Sequence, residues 1–304
     1  MVRDRGLTMT DEIRVRAYAK VNLGLEVLRR RSDGFHELRT FFQMIDWHDE
    51  LRFQPAASGL HLRISGLRVP GGKRENLVLR AARALRRAGT SRRGAQILLC
   101  KRVPPGTGLG GGSSDAAATL LALRRLWSVP LSFAGLVAVA RELGADVPFF
   151  LSGGAAFAAG RGDRIRPLRT VLDRRLVVVC PRARLATGTV FEAGSFRLTP
   201  GRVRIRIGRL KEALSGRSEL ADLLRNDLEE AAVRSCPEIA VWKRRLAETG
   251  AEAVAMTGSG PAVYGLYSDR GRAEEAAVRL EAEGVVVRIA APVSRDRFRG
   301  EMEP

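Results

Sequence analysis

Residues 104–127 read PPGTGLGGGSSDAAATLLALRRLW. Two prolines halt what precedes them. Gly106, Gly108, Gly110, Gly111 and Gly112 follow, and two serines lead into an alanine- and leucine-rich run. A backbone with so few Cβ atoms can turn successive N–H groups inward around an anion. The pattern predicts a helix opening near Ser113 or Ser114, whose unpaired N–H groups and positive dipole end serve the same purpose. The serine hydroxyls can donate to phosphate oxygens or ligate Mg²⁺, an ion that takes oxygen ligands.

Other glycine motifs fit less well. Residues 106–111 match GxGxxG, and AQILLCKRV (95–103) before them predicts a strand. A dinucleotide fold then needs a second strand ending in an acid about 20 residues on. The next apolar pattern here is helical. A Walker A loop needs a lysine before its last Ser or Thr, and none is present. A plain glycine hairpin would not run straight into a helix after two serines. A phosphate cradle of a third kind is left.

Working outward, IRVRAYAKVNLGLEVL (13–28) predicts a strand interrupted around Ala19–Asn22 and resumed at Leu23. Asp33-Gly34 predicts a turn. LRTFFQMIDWHDELRFQP (38–55) reads as one or two strands and GLHLRISGL (59–67) as another. Helical spacing covers 76–88, capped by Asn76 and ended by Gly89, and a later helix runs between Ser132 and Gly144. ADVPFFLSGGAAFAAG (145–160) reads as loop, short strand, turn, strand. From about Arg174 the texture resets. LVVVCP (176–181) is a buried strand, and LATGTVFEAG (185–194) and the Arg-rich 197–215 are irregular or helical. Residues 226–250 are helical but broken at Pro237, with Asn226-Asp227 as a cap. AEAVAMTGSGPAVYGLY (251–267) is two short strands about a glycine turn. A helix at 272–284 and a strand at 285–293 close the chain. The order suggests α+β architecture with a boundary near Arg166–Arg174, giving domains 1–170 and 171–304.

The chain has 304 residues, 52 basic and 33 acidic, with a net charge of +19. Only Lys20, Lys73, Lys101, Lys211 and Lys243 are lysines, so 47 of the 52 are arginines. Such a surface attracts polyanions, although arginine spread this evenly also fits a codon preference. Aromatic residues are 6% and do not interleave with basic runs, so no specific nucleic-acid partner is expected. Cys100, Cys180 and Cys236 are far apart and only three histidines occur, which argues against a disulfide framework and a Cys/His metal site. No apolar run approaches ~18 residues and no apolar leader is present. A soluble, cytoplasmic protein with no membrane partner is expected, as monomer or homodimer.

PPGTGLGGGSSDAAA resembles the central motif of the GHMP small-molecule kinases. AYAKVNLGLEVLRRRSDGFHEL (17–38) resembles their N-terminal motif and AMTGSGPAVYGLY (255–267) their C-terminal glycine motif. With DGFHEL and GADVPFF (144–150), the chain is most similar to members acting on a cytidine diphosphate-linked methylerythritol, in the non-mevalonate (MEP) route of isoprenoid synthesis. The resemblance covers about 13–292. It implies a ribosomal protein S5 domain 2-like N-terminal domain, a ferredoxin-like C-terminal α/β sandwich and a site between them. It also implies ATP and Mg²⁺ as cofactors, with a small-molecule alcohol as phosphoryl acceptor.

By that resemblance, Asp146 is the catalytic base and Lys20 the cation beside it, with Asn22 a polar substrate-site residue. The chemistry agrees: a carboxylate can take the hydroxyl proton, and a cation keeps it ionised and offsets phosphoryl charge. Pro104, Gly106, Gly108, Leu109, Gly110, Gly111, Gly112, Ser113 and Ser114 would hold ATP. Asn76 would border the adenine or simply cap its helix. His36 would read the cytosine edge, Phe35 and Phe191 would stack its faces, and Thr187 would touch the substrate. Gly258, Ser259 and Gly260 would close the site near the transferred phosphoryl. A relative acting on homoserine or mevalonate would not need His36, Phe35 and Phe191. A non-enzymatic RNA-binding protein is the third alternative. Residues 1–12 and 197–215 match nothing in the family, and no acidic residue stands out as a second Mg²⁺ ligand.

Overall fold

The computed structural model describes residues 12–72, 75–169, 172–194, 205, 207–214, 220–281 and 285–302. Residues 1–11, and 197–204, 206 and 215 of the Arg-rich 197–215 stretch, lie outside them. The chain opens with β1 (Ile13–Arg30) and β2 (His36–Ala56), an antiparallel pair turning at Asp33-Gly34. β1 is one strand, where the sequence predicts an interruption. The irregularity at Ala19–Asn22 is absorbed as register shifts, between Tyr18 and Ala19 and again between Asn22 and Leu25. Such bulges re-aim side chains without ending a strand, and Lys20 and Asn22 lie between them. β3 (Leu60–Gly66), α1 (Leu77–Ala88) and β4 (Gly94–Lys101) follow. Asn76 caps α1 by accepting from the Val78 amide at 2.9 Å.

α2 (Gly111–Leu126) begins earlier than Ser113. Gly110, at φ 72°, makes the turn into the helix by left-handed backbone rather than by a side-chain cap. α3 (Phe133–Leu143) is capped by Ser132. α4 (Val147–Ser152) is a helix where the sequence reads as a strand. A five-residue apolar run, Val147–Leu151, has no usable period, and its Pro148 suits a helix's first turn as well as a strand edge. β5 (Ala155–Gly160) and β6 (Arg164–Leu168) complete the first sheet, β6 without a sequence signal that predicts it. β2 is long enough to pair with β1 along one edge and with β4, then β5, along the other. Helices α1 to α4 cover one face.

The second sheet is antiparallel, in the order β10-β7-β9-β8. It comprises β7 (Arg175–Cys180), β8 (Ala253–Met256), β9 (Val263–Tyr267) and β10 (Val286–Ala290). Between β7 and β8 lie α5 (Thr187–Ala193), α6 (Ile207–Leu214), α7 (Leu220–Leu223), α8 (Glu229–Ser235) and α9 (Glu238–Glu248). α8 and α9 are separated at Pro237, as predicted. α10 (Arg270–Glu281) joins β9 to β10. The result is a split βαβ arrangement with helices on one face. β7 is apolar from Leu176 to Cys180 because both its faces are covered there. Leu176, Val178 and Cys180 face the first sheet, while Val177 and Val179 face the helices.

β10 does not close the chain. α11 (Arg295–Met302) crosses back to the first half, where Phe298 joins the core formed by α2, α4 and the first sheet. The ring sits where a Cβ on Gly153 would lie, 2.2 Å away, and Tyr18 donates to Glu301 beside it. Removing a buried ring from such a site costs about 3 kcal/mol or more. Phe298→Ala is expected to lower the urea-unfolding free energy by that amount; an unchanged midpoint would show that α11 contributes nothing to the first core.

Candidate active site

The glycine loop is held by its carbonyls. Gly106 O accepts from the Leu185 amide, Thr107 O from Ala262, Leu109 O from Lys20 and Gly110 O from Ser114, at 2.9–3.3 Å. Gly108 O accepts from the Lys20 ammonium at 2.7 Å. With five successive carbonyls engaged by protein, the loop is fixed as a unit. Gly111, Gly112 and Ser113, in the first turn of α2, have amides without an intrahelical acceptor and line a cleft of about 1130 Å³. Gly108 is at φ 79°, and a Cβ there would lie 2.1 Å from Thr257 O, so the loop seats on the 257–260 turn only because it lacks a side chain.

Lys20 is buried at the cleft floor. Its Nζ donates to Asn22 Oδ1 at 2.6 Å and to Gly108 O, and lies 3.6 Å from Asp146 Oδ2. Two of its three protons are thus hydrogen-bonded, and the Asp146 carboxylate stands beside it as an ion-pair partner. Burial pushes the Lys20 pKa down, and the Asp146 carboxylate pulls it back up. Asp146 stands at the start of α4 but makes no capping bond, so its carboxylate turns to the cleft. Asn22 is engaged at both ends of its carboxamide: Nδ2 donates to Thr40 Oγ1 at 2.8 Å while Oδ1 takes Lys20. Its backbone N–H donates to Thr257 Oγ1 and its carbonyl accepts from Tyr264. Asn22 therefore holds Lys20 in place, a role the sequence reading did not give it.

At the other end of the cleft, the His36 and Phe191 rings stack on each other at 5.1 Å with 19° between planes. The expectation of Phe35 and Phe191 as paired walls is modified: the Arg161 guanidinium lies 4.7 Å from the Phe35 ring centre. A flat cation over an exposed ring is a favourable contact. Burial and the nearby Arg30 push the His36 pKa down, so its imidazole is neutral at pH 7. Thr187 and Ser259 hydroxyls meet at 3.0 Å across the cleft mouth. Pro104, Leu109 and Gly258 also line the cleft, whereas Asn76, Ser114 and Gly260 do not. Ser114 is buried on the inner side of α2. No cluster of three or more potential metal-ligating residues occurs among the described residues, nor is any helix among them long and apolar enough to cross a membrane.

Comparison with known proteins bears on this geometry. The GHMP kinases N terminal domain matches residues 76–154, and the GHMP kinases C terminal domain matches 208–286. A 4-diphosphocytidyl-2-C-methyl-D-erythritol kinase of Pelotomaculum thermopropionicum is 44% identical over 264 residues, 86% of this chain and 92% of that protein. The chain belongs to the GHMP kinase family. A second relative so named, from Solibacter usitatus, is 41% identical and covers 96% of this chain and 92% of its own. A crystal structure of 4-(cytidine 5'-diphospho)-2C-methyl-D-erythritol kinase superposes with a TM-score of 0.78 at 40% identity, over 92% of this chain and 99% of that one. A homoserine kinase from Cytophaga hutchinsonii, at 18% identity and a TM-score of 0.70 over 95% and 96% of the chains, shares the fold.

Several residues around this GHMP kinase site have no individual signal in the sequence. Asn226, read as a cap, does accept from the Leu228 amide, but its Nδ2 also donates to the carbonyls of Met256 and Gly258, fastening the last glycine turn. Asp227 Oδ2 accepts from the Val27 amide. Beneath α2, Lys101 bridges Asp49 and Asp115, all three buried. Burial pushes the Asp115 carboxyl up to about 7; Lys101 pulls it down and Asp49 adds to the rise. A charge among apolar periods was the available clue. A carboxyl with a raised folded pKa contributes stability below its unfolded pKa of ~3.9, and that contribution is lost as pH rises through about 7. Relative to Asp115→Asn, the wild type is therefore expected to lose urea stability between pH 4 and pH 8; parallel pH profiles would refute the assignment.

Proposed function

We propose that this chain transfers the γ-phosphoryl of ATP to the 2-hydroxyl of 4-diphosphocytidyl-2-C-methyl-D-erythritol, releasing ADP, as a cytoplasmic enzyme of isoprenoid precursor synthesis. The observation that carries it is one continuous cleft. Asp146 and Lys20 stand beside the glycine loop at one end, and His36, Phe35 and Phe191 stand at the other. Relatives at about 40% identity carry the same named activity.

Asp146 accepts the hydroxyl proton as the alcohol oxygen bonds to the γ-phosphorus and the bond to the bridging oxygen breaks. Lys20, 3.6 Å from Asp146, acts by charge: it lowers the cost of the negative charge that gathers on the transferring phosphoryl in a buried setting. The α2 amides and the glycine loop bind the phosphates. A neutral His36 has one unprotonated ring nitrogen, which can accept a hydrogen bond from the amino group of cytosine. Mg²⁺ takes most of its ligands from nucleotide phosphates and water, so the few oxygens of this cleft suit it. The Ser113 hydroxyl, beside the α2 amides, is the group that would hold it, and it would neutralise the phosphates. Supply and use of a cytidine-linked alcohol require no macromolecular partner, and the protein acts as monomer or homodimer.

ADP release with this alcohol, run beside homoserine and mevalonate, tests the reading, which fails if either smaller alcohol is the better substrate. Asp146→Asn is expected to lower kcat by ~10²–10⁴-fold with little change in KM for ATP. His36→Ala should raise KM for the cytidyl substrate ~10-fold, the worth of a good hydrogen bond, and an unchanged KM would remove His36 from recognition.

A further inference from the structure

We propose that Lys101, Asp49 and Asp115 form a positioning clamp that closes the phosphate loop at its base and thereby sets ATP affinity. This rests on reading residues 104–114 as the nucleotide site, and it is independent of which alcohol is phosphorylated.

The clamp touches both ends of the loop. Asp49, on β2, accepts through Oδ1 from the Arg102 and Val103 amides at 2.6 and 2.8 Å, where the chain leaves β4. Its Oδ2 accepts from Lys101 Nζ. The same Nζ donates to Asp115 Oδ2 at 2.8 Å, in the first turns of α2, where the loop ends. A Cβ on Gly111 would lie 3.0 Å from Nζ, so the helix start rests directly on the ammonium. One cation on a β2 carboxylate thus fixes the entry and the exit of a loop whose own carbonyls are tied elsewhere.

The cluster is poorly explained as a stability device. Burying an ammonium against carboxyl groups costs several kcal/mol per ion, and apolar groups of equal volume often serve as well. Asp115 Oδ1 is buried without a hydrogen-bond partner in the structure, a further penalty. What an ion cluster provides and an apolar cluster does not is direction: fixed donors and acceptors select one register of loop against helix. A loop held in its binding conformation loses less freedom when ATP arrives, which appears as affinity.

The test is nucleotide binding by calorimetry with Mg-ATP or a non-hydrolysable analogue, alongside KM for ATP and for the alcohol. Asp115→Ala is expected to weaken nucleotide binding ~10-fold. It should raise KM for ATP in parallel and leave KM for the alcohol within about two-fold. Asp115→Asn, which keeps an acceptor for Lys101, should recover most of the loss. Asp49→Asn, milder in volume, supplies a second arm if Asp115→Ala does not fold and should also weaken nucleotide binding. Unchanged nucleotide affinity in a folded Asp115→Ala or, failing that, Asp49→Asn protein overturns the proposal, as does equal impairment by Ala and Asn at 115. Weakened nucleotide binding in a protein inactive on the cytidyl alcohol would uphold the clamp while removing the substrate reading.

Discussion

The Lys20 ammonium is the point on which the site depends. Its partners come from three separate places: the acceptors Asn22 on its own strand and Gly108 in the phosphate loop, and the Asp146 carboxylate at the start of α4. A buried cation left with a missing acceptor is expensive, so the three segments are held to one arrangement. The bulges of β1 turn Lys20 and Asn22 into the cleft, and the Thr257 hydroxyl, on Asn22, ties the second half of the chain to the same centre.

The second sheet belongs to the site as much as to the fold. Its inner face, with Leu176, Val178 and Tyr264, shares a core with Val21, Phe41 and Ile45 of the first sheet. The Tyr264 hydroxyl reaches the Asn22 carbonyl through that core. The glycine turn at 257–260 is therefore placed by ordinary apolar packing and meets the phosphate loop without a separate linker.

Much of this was legible in the sequence. The glycine run stands out by local pattern alone, whereas Lys20, Asp146 and His36 are singled out only through the family resemblance. Asn22 was legible as a site residue but not as a holder of Lys20, because that role depends on Thr40 and Thr257, distant in sequence. Lys101, Asp49 and Asp115 sit in three different elements, and only the fold makes them neighbours. Among the elements, α4 was missed because five apolar residues carry no period. Helix α2 was placed late because the expected cap was a serine, whereas a left-handed glycine makes the turn. The sheet order of the second half follows no local rule and rests on long-range pairing.

The return of α11 bears on how the chain is made. Phe298 fills the first core beside Gly153, yet a ribosome delivers it after the whole second sheet. During synthesis the first half can collapse around α2 but leaves an apolar hole under α4 until the last segment emerges. The N-terminal core thus takes its last ring from α11, whichever half of the chain folds first.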